Sequence, residues 1–370
     1  MNSRFLFNNF FSLVFKRQLE FEFDKIPMKA VALSRRQRSN LFKIALNRLL
    51  PISQAFGRPY MAHISPSGLC DLSCLNCPTK DMRTRGRKFM PFDTFRKFID
   101  EAGDTLLYVI LWSWGEPLLN PDFPRMVEYA ARRNILTVSS TNLNRLSVDQ
   151  ARDLVSSGLD KLIIAVDGTT QESYEKYRKG GDLRRIVENI KLLVAEKKRV
   201  GAKKPFLNLR MVVSRENEHE IEDFRRMGRE LKVDMISFKA FSTRQAGYEN
   251  PEMDRCFAPE MEKYRWYQYR KNFRADRRMG KYWCRFPWTK PTLFADGTII
   301  TCEYDFHYEY PLGNINQQSF DDIWFGDKAK KFRRIFQKNR DAFAFCQDCV
   351  YDYTLIDGCI LERELLHHEE

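Results

Sequence analysis

At 370 residues, with 43% apolar and 14% aromatic content, the chain can bury a large core, and no uninterrupted apolar run is long enough to span a bilayer. A small module and an integral membrane helix are thereby excluded. The formal charge of +13 is uneven, because residues 1–60 carry eleven Lys and Arg against three Asp and Glu.

Residues 1–60 read as a basic, mainly helical extension. Phe5, Phe7, Phe10, Phe11, Leu13, Val14 and Phe15, beside Arg4, Lys16 and Arg17, form either an amphipathic segment for a membrane surface or a cap packed on the body of the protein. Leu41–Leu50 suggests a second basic helix, stopped near Pro51. Next comes Cys70-Asp-Leu-Ser-Cys74-Leu-Asn-Cys77-Pro78. Three thiolates suit iron in tetrahedral sulfur coordination but leave a four-iron cluster one ligand short; a structural zinc or an ordinary thiol cluster is the competing reading.

From there the pattern alternates. Apolar runs at Leu106–Leu111, Ile135–Ser139, Leu162–Val166, Phe206–Val213 and Met235–Phe238 predict buried strands. Helical patterns fall between them at Phe92–Asp100, Phe123–Arg132, Val148–Ser156, Leu183–Lys197 and Glu220–Arg229. Repeated βα units with a parallel sheet follow. Ligands of such sheets bind at the carboxyl ends of the strands. Those ends offer Gly115-Glu116-Pro117, then Ser139, Ser140, Thr141 and Asn142, then Asp167, then Arg210 and Ser214. Glycine admits close backbone approach, glutamate offers an acceptor to an ammonium, and proline fixes the exit. Helix capping competes for the serines and for Asp167, and packing for Tyr174 and Tyr177.

The three-cysteine loop, Gly115-Glu116-Pro117 and the βα alternation together resemble the radical S-adenosylmethionine superfamily. The resemblance implies an α/β fold, a partial (β/α)6 TIM-like barrel over about residues 61–241. It implies a [4Fe-4S] cluster on Cys70, Cys74 and Cys77 whose fourth iron takes S-adenosyl-L-methionine, with reductive cleavage to a 5'-deoxyadenosyl radical. Gly115, Glu116 and Pro117 would hold the cofactor's amino group, although Trp114 stands where the family's first glycine is usual. Ser139, Thr141 and Asn142 would meet its ribose or carboxylate, with Asp167, Tyr177 and Arg178 near the active site. Arg210 and Ser214 are expected at the cofactor carboxylate, a task that suits the planar guanidinium fork.

Beyond a basic, aromatic linker expected over 242–283, Cys284, Cys302, Cys346 and Cys349 flank a predicted hairpin turning at Asp296-Gly297 and a CxxC loop. This looks like the SPASM or shorter Twitch extension of the same group and implies one auxiliary [4Fe-4S] cluster in a domain over 284–370; zinc suits four thiolates equally well. Cys256 reads as a buried small hydrophobe or as a thiol near the active site, and Cys359 is unassigned. With no signal peptide evident, a reducing, cytoplasmic setting is expected, peripheral to membrane if the amino terminus touches one.

The mechanism this implies is hydrogen abstraction from a hydroxylated or phosphorylated small molecule, with the auxiliary cluster accepting an electron in a net oxidation. Arg85 and Arg87, just past the cluster loop, are candidates for orienting or deprotonating the substrate. A peptide substrate is the rival within the enzyme reading, and a non-enzymatic iron-sulfur or nucleic-acid-binding protein the rival outside it. The stretch Lys263–Lys281, where cations interleave with Trp266, Tyr267, Tyr269 and Phe273, suits an acidic electron donor such as a flavodoxin or ferredoxin, a phosphorylated ligand, nucleic acid, or a solvated linker.

Overall fold

The computed structural model describes residues 21–28, 32–50, 52–81, 88–243, 250–265, 284–347, 349 and 360–366. Arg85, Arg87, Cys359, the Phe-rich residues 1–20 and most of the basic linker lie outside the described residues.

Within the extension expected to be mainly helical, residues 21–28 form a hairpin instead. Strands β1 (Phe21–Phe23) and β2 (Ile26–Met28) are joined at Asp24 and Lys25, both at positive φ, as a tight hairpin turn requires. Helix α1 (Arg35–Leu49) starts ahead of the expected position because Ser34 and Gln37 form a capping box.

Six parallel strands then follow in unpermuted order: β3 (Met61–Ile64), β4 (Tyr108–Ile110), β5 (Leu136–Thr141), β6 (Lys161–Ala165), β7 (Phe206–Val213) and β8 (Met235–Ala240). The intervening helices are α2 (Phe92–Ala102), α3 (Phe123–Ala131), α4 (Val148–Ser156), α5 (Gln171–Tyr177), α6 (Leu183–Arg199) and α7 (Ile221–Glu230). Polar caps set their starts: Ser147 for α4, Thr170 for α5 and Asp182 for α6 each accept a backbone N–H of the first turn. This is the partial (β/α)6 barrel.

The helix-facing side of the strands is apolar, while the lumen face mixes apolar residues with polar ones such as His63, Arg210, Ser237 and Lys239. Ile64, Val109, Leu111, Leu162, Ile164 and Leu209 belong to the core shared with the helices. The alternate residues Val138, Ile163 and Met235 meet Ile26 and Met28, so the amino-terminal hairpin plugs the barrel lumen. Each fully buried aliphatic side chain contributes about 1.5–3 kcal/mol.

The carboxyl-terminal region joins the same sheet. Strands β9 (Thr292–Leu293), β10 (Thr298–Ile300) and β11 (Gly313–Asn314) extend it from β3, while β12 (Ile360–Leu365) runs antiparallel to β8. The result is one ten-stranded sheet, β11-β10-β9-β3-β4-β5-β6-β7-β8-β12, continuous across the boundaries expected near 241 and 284. Gly297 makes the β9–β10 turn at φ 87°, where a Cβ would lie 2.4 Å from Asn316. Helices at Phe320–Trp324 and Asp327–Lys338 pack below, with buried Trp324 donating Nε1–H to Gly57 O at 3.0 Å.

Candidate active site

The cysteine loop follows β3, and α5 pins it: Ser73 N–H donates to Lys179 O (3.0 Å) and Leu75 N–H to Tyr177 O (3.2 Å). Donors surround the thiols. Leu72 N–H (3.4 Å) and Asn142 Nδ2 (3.7 Å) point at Cys70 Sγ, Arg178 Nη1 at Cys74 Sγ (3.8 Å), and Thr79 Oγ1 lies 3.0 Å from Cys77 Sγ. Burial pushes the Cys70 thiol up to about 12 and raises Cys74 as well. Metal binding must therefore displace protons from these thiols, as thiolate ligation does.

Gly115 seals the loop from the side. At φ 152° it lies so close that a Cβ would be 2.1 Å from Ser67 O, and the next residue donates its N–H to Leu69 O (2.8 Å). Glu116 is buried beneath, one carboxylate oxygen accepting from Leu118 N–H (3.0 Å) and Thr141 Oγ1 (2.7 Å), the other from Asn142 N–H alone (2.8 Å). That second oxygen keeps a lone pair for a further donor. Burial raises the Glu116 carboxyl to about 7 despite the three hydrogen bonds that lower it. Pro117 opens a short turn over Pro117–Leu119.

Asp167, 1% exposed, accepts from Arg178 Nε at 2.5 Å and from Val212 N–H at 2.7 Å, giving a chain Asp167–Arg178–Cys74. The structure thus brings Gly115, Glu116, Thr141, Asn142, Asp167 and Arg178 to the three cysteines. The expectations for Ser139, Arg210 and Cys256 change. Ser139 falls on the helix-facing side of β5, one residue on from lumen-facing Val138, and its hydroxyl donates to Leu111 O (2.8 Å). Arg210 points into the lumen but holds Asp24 of the hairpin (2.8 Å) and Ser237 (3.1 Å). Ser214 is buried at the end of β7, its N–H donated to Asn217 Oδ1 (2.7 Å). Cys256 is exposed on the helix Pro251–Phe257, contrary to its reading as a buried hydrophobe.

Above the strands lies a cavity of about 320 Å³, running from Ser113 and Trp114 past Tyr177 and Lys239 to Phe286 and Tyr304. A second, smaller cavity is lined by Cys284, Cys302, Cys346 and Cys349, with Phe332, Phe336 and Phe345 around them. Phe286 and Tyr304 wall both. Burial raises all three of Cys284, to about 11, Cys302 and Cys346. Among the described residues no three His, Cys, Asp or Glu side chains are gathered as a single-ion site. The residues fit clusters: soft donors, apolar walls, and N–H groups directed at the catalytic sulfurs.

Sequence reasoning missed His63, Lys290 and Glu303. All three line the first cavity; Lys290 Nζ lies 2.6 Å and His63 Nδ1 3.5 Å from Glu303 Oε2. Burial by itself would push the Glu303 carboxyl up, but Lys290 and His63 hold it well below the usual carboxylate range. Its place directly after Cys302 was the available signal. Trp114, the departure from the glycine pair, donates Nε1–H to Glu303 O (2.7 Å) and packs on Tyr304 and Phe306, tying the cofactor loop to the second thiol set.

A family model described as the Radical SAM superfamily matches residues 64–228, and one described as an iron-sulfur cluster-binding domain, SPASM, matches residues 284–350. The chain carries a radical S-adenosylmethionine domain followed by a SPASM domain. S-adenosylmethionine and a [4Fe-4S] cluster are accordingly its cofactors, and its SPASM domain adds auxiliary iron-sulfur binding. This radical S-adenosylmethionine protein is 25% identical over 313 residues to the tungsten-containing aldehyde ferredoxin oxidoreductase cofactor-modifying protein of Pyrococcus furiosus, covering 78% of this chain and 86% of that one. It is 27% identical over 133 residues to a probable GTP 3',8-cyclase of Methanococcus maripaludis, covering 36% of this chain and only 44% of the cyclase. In fold it is similar to Streptococcus suis SuiB bound to precursor peptide SuiA, with a TM-score of 0.58 at 18% identity over 87% of this chain and 80% of that one. Among the described residues no helix is long and apolar enough to cross a membrane.

Proposed function

We propose that this radical S-adenosylmethionine protein oxidises a hydroxylated or phosphorylated small molecule held in the cavity at the barrel mouth, passing an electron to an auxiliary cluster on Cys284, Cys302, Cys346 and Cys349. The shared wall of the two cavities carries this reading. Phe286 and Tyr304, which line both cavities, would stand between a substrate beside Ser113, Trp114 and Tyr177 and the second thiol set.

When bound at Cys70, Cys74 and Cys77, the cofactors supply a 5'-deoxyadenosyl radical that removes a hydrogen atom from substrate. The remaining work belongs to this chain. Glu116, fixed by Leu118, Thr141 and Asn142, offers its second oxygen to the cofactor's ammonium, and Gly115 lets that loop lie against the cysteine loop. Arg178, oriented by Asp167, places positive charge on Cys74. The apolar shell of Phe332, Phe336 and Phe345 keeps water from the second thiol set. Lys239, on the inner face of β8, has no ion-pair partner among the described residues and suits an anionic group on the substrate. An acidic flavodoxin or ferredoxin is the electron donor that suits the chain's positive charge.

The test is anaerobic incubation of the reconstituted full chain with S-adenosylmethionine, dithionite and either the small-molecule or the peptide fraction of a cell extract. We expect 5'-deoxyadenosine together with a small molecule that has lost a pair of hydrogens, and loss of that product, with cofactor cleavage retained, in Cys346→Ala/Cys349→Ala. A changed peptide and no changed small molecule would overturn the substrate class. Oxidation that survives the double substitution would overturn the electron-acceptor role.

A further inference from the structure

We propose that the Lys290–Glu303 ion pair is a positioning device that sets how readily the auxiliary thiolate site takes up an electron, Lys290 favouring its arrival and Glu303 opposing it. The proposal rests on the reading that Cys284, Cys302, Cys346 and Cys349 hold a cluster.

The pair is built into the wall between the two cavities. The Lys290 side chain is 4% exposed and that of Glu303 14%, and they meet at 2.6 Å. Glu303 Oε2 lies 3.7 Å from Cys302 Sγ, while Lys290 Nζ lies 3.8 Å from the centroid of the Phe286 ring. Phe286 lines the thiol cavity on one side and the substrate cavity on the other. Both charges are enclosed by the fold. Lys290 sits between the short helix Phe286–Thr289 and β9, and Trp114 Nε1–H holds the Glu303 carbonyl at 2.7 Å from the cofactor-loop side.

An electron arriving at the cluster adds one negative charge in a water-poor enclosure, where fixed charges act strongly. An adjacent ammonium stabilises that charge and an adjacent carboxylate opposes it. Paired, the two largely cancel, so the site keeps an intermediate potential and removing either partner displaces it. His63, 3.5 Å from the same oxygen, adds a third group to this balance from β3. Surface charges of the same sign would be screened by water and salt; these are not.

The experiment is an electron-paramagnetic-resonance redox titration of the reconstituted full chain in alkaline buffer, following both clusters. We expect the auxiliary midpoint potential to fall in Lys290→Met, to rise in Glu303→Gln, and to return toward wild type in the double variant, with the Cys70, Cys74 and Cys77 cluster unmoved. A purely structural pair would not produce shifts of opposite sign. Unchanged potentials, or shifts in the same direction with iron content intact, overturn the proposal. Should Lys290→Met lose iron, Lys290→Gln repeats the charge removal while keeping a donor toward Glu303; loss of auxiliary iron in every neutral variant makes the pair structural and also overturns it. Wild-type protein with about four irons and a single signal would instead sink the auxiliary-cluster reading itself.

Discussion

Two residues carry the sharpest consequences at the site. Any side chain at position 115 would have to displace the Ser67 carbonyl while holding φ at 152°, so Gly115→Ala should cost about 2 kcal/mol or more and weaken cofactor binding. Urea unfolding and calorimetric titration with S-adenosylmethionine check both effects. Glu116 makes a pH prediction. Burial lifts its carboxyl to about 7 from an ordinary carboxylate value of 4.5, so between those limits the folded chain holds a proton that the unfolded chain has lost. Stability from this group is full below the lower value and falls as pH rises through the upper one. Cofactor binding runs the other way, because an ammonium needs the carboxylate. Affinity should therefore tighten with rising pH, by up to about tenfold per unit below 7, with proton release on binding. Equal affinities on either side of neutrality would remove Glu116 from the ammonium site.

At the level of elements, the amino-terminal hairpin is the unexpected part. Its β strands were not legible as such, because three-residue runs such as Phe21–Phe23 and Ile26–Met28 are too short to show a period, and nothing local says that they enter a barrel lumen. The βα units were legible. Val148–Ser156 and Phe206–Val213 match their expected bounds because capping and continuous apolar runs mark them in the sequence itself. Asp24 and Arg210 join hairpin and barrel, with Arg210 7% and Asp24 26% exposed. Asp24→Ala would strand a buried guanidinium and should cost about 2 kcal/mol, less than a fully enclosed pair because Asp24 is partly solvated. The double variant Asp24→Ala/Arg210→Met should recover part of this loss. An Asp24→Ala protein as stable as wild type in denaturant would show that the hairpin is held by Ile26 and Met28 alone.

Across the whole molecule, the amino-terminal hairpin and strand β12 are tied to each other and to the barrel. Arg225 on α7 pairs with Glu362 and Glu364 of β12 at 2.6 Å each, and Arg363 of that strand pairs with Glu22 of the hairpin at 2.8 Å. Trp114 forms the matching tie on the opposite side, between the cofactor loop and the second thiol set. Trp114→Gly, which restores the usual glycine pair, should cost about 3 kcal/mol through lost packing on Tyr304 and Phe306 and leave the Glu303 carbonyl without its indole donor. Faster proteolysis within residues 284–347 than in the barrel would report that loss; an unchanged cleavage pattern would count against the tie.

By itself the sequence determined the barrel, written in apolar runs alternating with helical periods, and the cofactor chemistry through the family resemblance that the thiol spacing and the Gly-Glu-Pro turn carry. Only the tertiary structure decided which polar groups converge. It turned Ser139 away from the site by the alternation of a strand, gave Arg210 to Asp24 from a segment 186 residues distant, and set Lys290 and Glu303 into the wall between two cavities. Such pairings join residues of different strands and loops, from 13 to 186 positions apart, and packing of the whole sheet, not local propensity, fixes which of them meet.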